Sequence, residues 1–258
     1  MEIIQSKKRI FFIIFIFTFA YFSAYIARKS FAVVIPEIVK LTDISKDKLG
    51  LPLTALFVCY GIAQIFAGIL SDRINSKILV IAALSLSAII NLIVPFVFQI
   101  IPLMIVIWGI NGIAQSCIWP PMIRLSAMCF DKKTYEKSST YIVLGGYLGQ
   151  IFLYFIAWLI IKYSQFQTLF YIAFGMNFLM AGIFLIATKN VNGNSSNIER
   201  NKENKEEKKI LNYFLDGLST IEISNELNQN YHTVDYKFKN LKNKIRRFIK
   251  SQNVYKEL

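Results

Sequence analysis

Apolar and polar positions alternate along this chain in long blocks, not in the short periods of a half-buried surface helix or strand. Five runs contain no Asp, Glu, Lys or Arg: Ile10–Ala27 (18 residues), Leu49–Ser71 (23), Ile78–Ile123 (46), Ser138–Ile161 (24) and Tyr163–Thr188 (26). An ionised side chain at the bilayer centre is expensive, so runs of this length mark membrane spans. One span takes roughly 20 residues at about 1.5 Å of rise each. The third run is too long for one helix and is expected to break near Pro95, Gln99 and Pro102. The pattern predicts six transmembrane helices.

After Thr188 the pattern changes. Lys189 to Glu207 is polar and charged, almost without apolar side chains, and is expected to be a linker. From Lys208 an amphipathic pattern returns, with Ile210, Leu211, Phe214 and Leu215 on one helical face and Asp216-Gly217 as a stop. Ser219 or Thr220 is placed to cap a short second helix carrying Ile223 and Leu227, followed by the turn Asn228-Gln229-Asn230. A long third helix is expected from about His232 to Ile249, with Val234, Phe238, Leu241, Ile245 and Phe248 at core spacing. Short helix, polar turn, longer helix is the helix-turn-helix layout. The expected architecture is all-α: a six transmembrane helix bundle over 1–189, a polar linker over 190–207, and a small cytoplasmic helix-turn-helix domain over 208–258.

Composition agrees with this division. Of 258 residues, 55% are hydrophobic and 17% charged, too apolar for an ordinary soluble domain and incompatible with disorder as the main state. Lys and Arg also orient the spans. One set of loops holds Lys7, Lys8, Arg9, Arg73, Lys77, Arg124, Lys132, Lys133 and Lys137; the other holds only Lys40, Lys46, Lys48 and Lys162. Both termini are therefore expected in the cytoplasm, with the chain in the cell membrane. A signal peptide is a poor alternative, because no small-residue cleavage site follows the first run. The triplet Asn194-Ser195-Ser196 fits a glycosylation acceptor, but a cytoplasmic tail makes it a coincidence of an Asn-rich tract. From Lys189 onward 14 Lys and Arg face 9 Asp and Glu. The third tail helix concentrates Lys237, Lys239, Lys242, Lys244, Arg246, Arg247 and Lys250, which suits phosphate.

Catalytic chemistry finds no support. Cys59, Cys117 and Cys129 lie in apolar stretches without ligand spacing, and His232 is the only histidine, so no zinc site or triad can be assembled. Neither a cofactor nor enzymatic activity is expected.

Residues Gly217 to Ile245 resemble the DNA-binding helix-turn-helix of LuxR-type regulators and region 4 of bacterial sigma factors, through Ser224, the Thr233-Val234 pair and the apolar positions. No further amphipathic helix follows Lys250, which favours the sigma type. The resemblance implies a DNA contact surface made of Thr220, His232, Thr233, Tyr236, Lys237, Lys239 and Asn240. The bland alternative is a small helical bundle whose basic face binds nothing.

The segment from Gly68 through Asp72 and Arg73 to Lys77 resembles the cytoplasmic loop motif of the major facilitator superfamily, with Asn75 where glycine is usual. Gly68 is expected to permit close helix approach, Asp72 to clamp a neighbouring helix end, and Asn75 to tolerate a positive φ. Ala27-Arg28-Lys29-Ser30-Phe31-Ala32 followed by Pro36, Leu49-Gly50, Tyr60-Gly61, and Trp119-Pro120-Pro121 with Arg124 resemble one branch of it. That branch comprises the organophosphate antiporters, which exchange sugar phosphates or glycerol phosphate for inorganic phosphate. The resemblance implies that Arg28 binds the phosphate, with Lys29, Tyr60, Gln64 and Trp119 as further substrate-binding residues. Two departures stand out: Gln64 replaces a common lysine, and Leu144-Gly145-Gly146-Tyr147 lies where a histidine is common. The superfamily also uses two six-helix halves, and only one is expected here.

Arg28 is notable without any family. An intramembrane arginine suggests an anion site, and a planar guanidinium can hold a phosphate through two hydrogen bonds. Alternatively the first helix ends at Ile26 and Arg28 and Lys29 snorkel to headgroups. The expected partners are the lipid bilayer, a small organic anion such as a phosphate ester, and DNA or the transcription machinery through residues 208–258. Such a chain would be a membrane-tethered sensor or regulator. The alternative is a half-size transporter working as a homodimer or with a separate second half, the tail being accessory.

Overall fold

The structure is a computed structural model that describes residues 6–191 and 196–254, with side chains described over 6–191 and 206–243. The chain divides into two compact units, Met1–Ser195 and Ser196–Leu258.

The first unit contains seven helical segments: α1 (Lys7–Leu41), α2 (Lys46–Arg73), α3 (Ser76–Val97), α4 (Ile101–Ser116), α5 (Trp119–Cys129), α6 (Lys132–Tyr163) and α7 (Gln167–Ala187). They make six helices long and apolar enough to cross a membrane, α4 and α5 together forming the fourth. The break between α3 and α4 falls where the prolines predicted it. The break within the fourth span was not anticipated. The helix is interrupted at Cys117 and Ile118, and Pro120-Pro121 then occupy the first turn of α5, where a missing N–H costs nothing.

At 35 residues α1 is about 52 Å long, well beyond the hydrocarbon thickness. It does not end at Ile26, so the snorkelling alternative for Arg28 is excluded. The reason is packing: Phe31, Val34, Ile35 and Ile38 extend the buried stripe for three more turns, and the helix tolerates Pro36 within it.

Lipid offers no hydrophobic drive between helices, so close approach at small residues is what holds such a bundle. Here the close seams are α1 with α6 and α2 with α4. A Cβ on Gly145 would lie 2.5 Å from the Thr18 carbonyl oxygen, on Gly149 2.4 Å from that of Phe22, and on Gly112 2.3 Å from that of Leu56. Gly68, expected to serve such a contact, has nothing within 4 Å of the equivalent position. Ile65, one turn before it on α2, is 70% exposed, so this side of the helix is open.

Two apolar clusters fill the bundle. One contains Ile13, Phe17, Leu84, Met122, Leu125 and Phe184; the other contains Phe31, Val34, Val94, Met104, Trp108 and Phe170. The buried polar residues Ser87, Asn91, Asn111, Gln115 and Asn177 fall between cluster members along α3, α4 and α7. Arg28 on α1 joins this middle layer.

The second unit comprises α8 (Ser196–Leu215), α9 (Thr220–Glu226) and α10 (Tyr231–Val254). Helix therefore begins at Ser196, inside the stretch expected to be a linker. Its Glu, Lys and Arg are good helix formers, so a polar composition did not imply irregular backbone. Ser219, not Thr220, caps α9 in a reciprocal capping box with Glu222. Gly217 takes φ 89° after α8, and Asn228 takes φ 49° in the turn before α10. Ile210, Ile223 and Val234 form the core, joined by Tyr213, Leu218, Leu227 and Phe238. Phe214 and Leu215, expected on the buried face, are 46% and 74% exposed. Phe214 instead lays its ring on Phe238 from outside, 4.5 Å between centroids. The expected core positions Ile245 and Phe248, and the basic residues Lys244, Arg246, Arg247 and Lys250, lie outside the described side chains, as do Asn194 and Ser195.

Candidate functional site

Arg28 stands about 6 Å past the midpoint of α1, at the level of the polar layer. It is only 7% exposed. Among the described residues no carboxylate pairs with it. Its Nε and Nη2 both donate to Oε1 of Gln115, at 3.3 and 3.1 Å. Its guanidinium carbon also lies 4.8 Å from the Tyr25 ring centroid and 4.6 Å from that of Tyr60, a cation–π arrangement with two rings.

Gln115 is itself held from α1 and α3. Its Nε2 donates to the Ala24 carbonyl at 3.2 Å and to Ser87 Oγ at 2.7 Å, and Ser87 donates to Asn111 Oδ1 at 2.8 Å. Asn91 reinforces the same junction, donating to the carbonyls of Ala27 and Ser87 at 3.2 and 2.9 Å while accepting from Ser30 at 2.8 Å. Buried polar groups demand partners, and here Gln115, Ser87 and Asn91 hold one another and α1, while Nδ2 of Asn111 is left without a hydrogen-bond partner among the described residues.

The other predicted substrate residues are placed around this centre unevenly. Lys29 points to α2, its Nζ 5.1 Å from the Phe57 ring centroid. Trp119, at the start of α5, lies 5.3 Å from the ring of Tyr21, which in turn lies 5.0 Å from Tyr25. Gln64 is half-buried one turn beyond Tyr60 on α2, and no hydrogen bond joins it to Arg28. Gly146, in the tetrapeptide that lies where the resembled branch commonly has a histidine, would bring a Cβ within 2.9 Å of the Tyr25 ring and 3.0 Å of the Tyr21 ring. The two rings fill the room that a larger side chain would need. Sequence reasoning missed Tyr25, Gln115, Ser87 and Asn111. The available signal was periodicity: Tyr25 precedes Arg28 by three residues, on the same helical face.

The loop-motif residues lie at one end of the bundle. Asp72 forms an ion pair with Arg124 of α5, the expected clamp to a neighbouring helix. Arg73 is exposed. Lys77 donates to the Thr188 carbonyl at 3.1 Å, next to the end of α7, where a cation is favoured by the helix dipole. Asn75 has φ −57°, not the positive φ expected of it. Its side chain instead accepts from the Lys77 N–H at 3.0 Å and caps α3, a role that needs Asn, Asp, Ser or Thr rather than glycine.

In the second unit His232, Thr233, Tyr236 and Lys239 are exposed, while Thr220, Lys237 and Asn240 are half-buried. Lys237 is occupied internally by Glu206 and Gln229, and Lys239 bonds Asp235 at 2.8 Å. Those two charges are therefore partly compensated.

Comparison with known proteins gives the wider setting. The sequence profile described as Major Facilitator Superfamily matches residues 17–250. The chain is 31% identical over 126 residues to a probable hexose phosphate transport protein of Chlamydia muridarum, covering 49% of this chain and 27% of the relative. It is 36% identical over 114 residues to a glycerol-3-phosphate transporter of Bacillus subtilis, covering 43% and 26%. It is 30% identical over 108 residues to the membrane sensor protein UhpC of Escherichia coli, covering 42% and 24%. The matched segments thus span about a quarter of each relative's length.

Proposed function

We propose, from the premise that this chain belongs to the major facilitator superfamily, that its six-helix unit binds a small phosphate ester at Arg28. The observation that carries this is a buried guanidinium in the middle of the bundle whose hydrogen-bonded partner is a neutral amide. A buried charge without a counter-ion is costly, and a chain that keeps one there needs an anion to complete it. Phosphate suits it, since the guanidinium can present paired donors and Lys29 adds charge on the next residue. The names of two relatives, a probable hexose phosphate transport protein and a glycerol-3-phosphate transporter, support the same ligand class.

We further propose that the tail serves regulation: α9, the Asn228 turn and α10 present His232, Thr233, Tyr236 and Lys239 to duplex DNA, making the chain a membrane-tethered sensor. With nine basic residues against four in the two sets of loops, we place both termini and the tail in the cytoplasm. A second proposal, a half-size carrier completed by a second copy or a separate half, draws on α2. That helix leaves Phe57, Val58, Ile62 and Phe66 exposed.

Full-length protein in lipid nanodiscs tests the first proposal by direct binding of labelled glycerol 3-phosphate and glucose 6-phosphate. Saturable binding that inorganic phosphate displaces is expected; its absence would remove the anion site. Retardation of duplex DNA by full-length protein, absent in a chain ending at residue 191 and weakening steeply with salt, is expected for the tail. Equal retardation by both chains would remove the regulatory role.

A further inference from the structure

Arginine offers two hydrogen-bonding edges: a side edge of Nε–H with one Nη2–H, and an end edge of Nη1 with the other Nη2–H. Gln115 Oε1 accepts from Nε and Nη2 and so occupies the side edge. Among the described residues nothing accepts from Nη1. We infer that Gln115 is a positioning residue: it holds the side edge of Arg28 so that the end edge alone meets the two oxygens of the anion. This rests on the anion site proposed above and deepens it.

The orientation of Gln115 is set by its surroundings. A glutamine amide can present either its oxygen or its nitrogen, and here the neighbours decide. The Ala24 carbonyl can only accept, and Ser87 already donates its hydroxyl proton to Asn111, so both require the amide nitrogen on their side. Oε1 is left facing Arg28. The donor chain therefore runs one way, from Arg28 to Gln115 to Ser87 to Asn111, across α1, α4 and α3. An acceptor in place of a carboxylate matters chemically. It fixes the fork while leaving the full positive charge for the ligand, whereas an acidic residue there would hold the fork equally well and cancel the charge. The Tyr25 and Tyr60 rings cover the guanidinium without neutralising it. A two-point end-on contact selects anions with two oxygens at the spacing of a phosphate monoester over single-point anions such as chloride.

The test uses full-length protein with ¹⁵N-arginine in nanodiscs, the Arg28 signal being assigned by its loss in Arg28→Lys. Without ligand, the Nε–H of Arg28 is expected to exchange with solvent at least about tenfold faster in Gln115→Leu than in the wild type. In Gln115→Glu it exchanges no faster than in the wild type. With labelled glycerol 3-phosphate, Gln115→Leu weakens binding about tenfold, and Gln115→Glu weakens it at least as much despite the tighter hold. In the Arg28→Lys background Gln115→Leu adds nothing, because lysine has no side edge to hold. Unchanged Nε–H exchange in Gln115→Leu, or equal effects of that substitution beside Arg28 and beside lysine, would overturn the inference. If Gln115→Leu does not fold, the opposite movements of exchange and affinity in Gln115→Glu decide, and full affinity in that variant would overturn it. Failure of the wild type to bind any ester would remove the proposed function instead, while the ligand-free exchange still decides whether Gln115 holds Arg28.

Discussion

Arg28 and Arg124 are the same side chain in two settings of one bundle. Arg124, near the end of the bundle, meets the carboxylate of Asp72, so its charge is satisfied within the protein and ties α2 to α5. Arg28, in the middle layer, meets an amide and a pair of aromatic rings and, among the described residues, no carboxylate. A charge paired at the rim costs little to keep, because headgroups and water are near. A charge at depth without a counter-ion is costly, and that cost is the physical mark of a site. The contrast separates an arginine tied into the structure by a carboxylate from the one proposed above to meet an anion.

The comparison breaks most sharply on removal of the two side chains. Arg28→Ala is expected to lower affinity for a phosphate ester roughly a hundredfold or more, equal to about 3 kcal/mol from two charge-assisted bonds. Arg124→Ala is expected to leave affinity per folded molecule within about twofold, below about 0.5 kcal/mol. Equal losses in a nanodisc binding assay would erase the distinction. Next in size is the packing that holds the middle layer together. Gly149→Ala should destabilise the bundle by about 1–3 kcal/mol through overpacking against Phe22. Gly182→Ala meets nothing within 4 Å and should be nearly neutral. Detergent-denaturation midpoints check the pair, and equal midpoints would show that the α1–α6 seam is not close.

A smaller effect is expected from Asp72→Asn. The Asp72 side chain is 69% exposed, so loss of the clamp should cost no more than about 1 kcal/mol and leave ester affinity intact. The smallest effect lies in the tail. The Ser219 hydroxyl and N–H bonds hold the Glu222 carboxyl below its ordinary 4.5. A lowered carboxylate value stabilises the fold above the unfolded value, and that stabilisation is lost as pH falls through the folded value. Melting of the tail should therefore drop slightly as pH is taken from about 5 to below 4, and Ser219→Ala should flatten the response. A pH response unchanged by Ser219→Ala would assign it elsewhere.

Much of this was legible in the chain because membranes enforce simple rules. Charge-free runs gave six spans, and Arg28 was conspicuous as a cation inside an apolar segment. Gln115, Ser87 and Asn111 were not conspicuous, since isolated neutral polar residues occur in many spans and nothing local says which ones converge. Gly68 and Asn75 were assigned roles by analogy with a motif. The close contacts instead fall at Gly112, Gly145 and Gly149, and Asn75 caps a helix with ordinary backbone angles. In the tail, the sequence offers Lys237 as a phosphate-seeking charge, but folding places Glu206 beside it.

By itself the sequence determined the number of spans, the presence of a cation at the edge of a long apolar run, and the polar turn of the tail. Each of these follows from residues within a few positions of one another or from the solvent a segment must enter. Only the tertiary structure decided that α1 continues past Arg28, which atom of Gln115 faces it, and which arginine has a carboxylate. Those outcomes depend on side chains far apart in the chain, such as Arg28 and Gln115, brought together by close packing of helices, and no local pattern encodes that meeting.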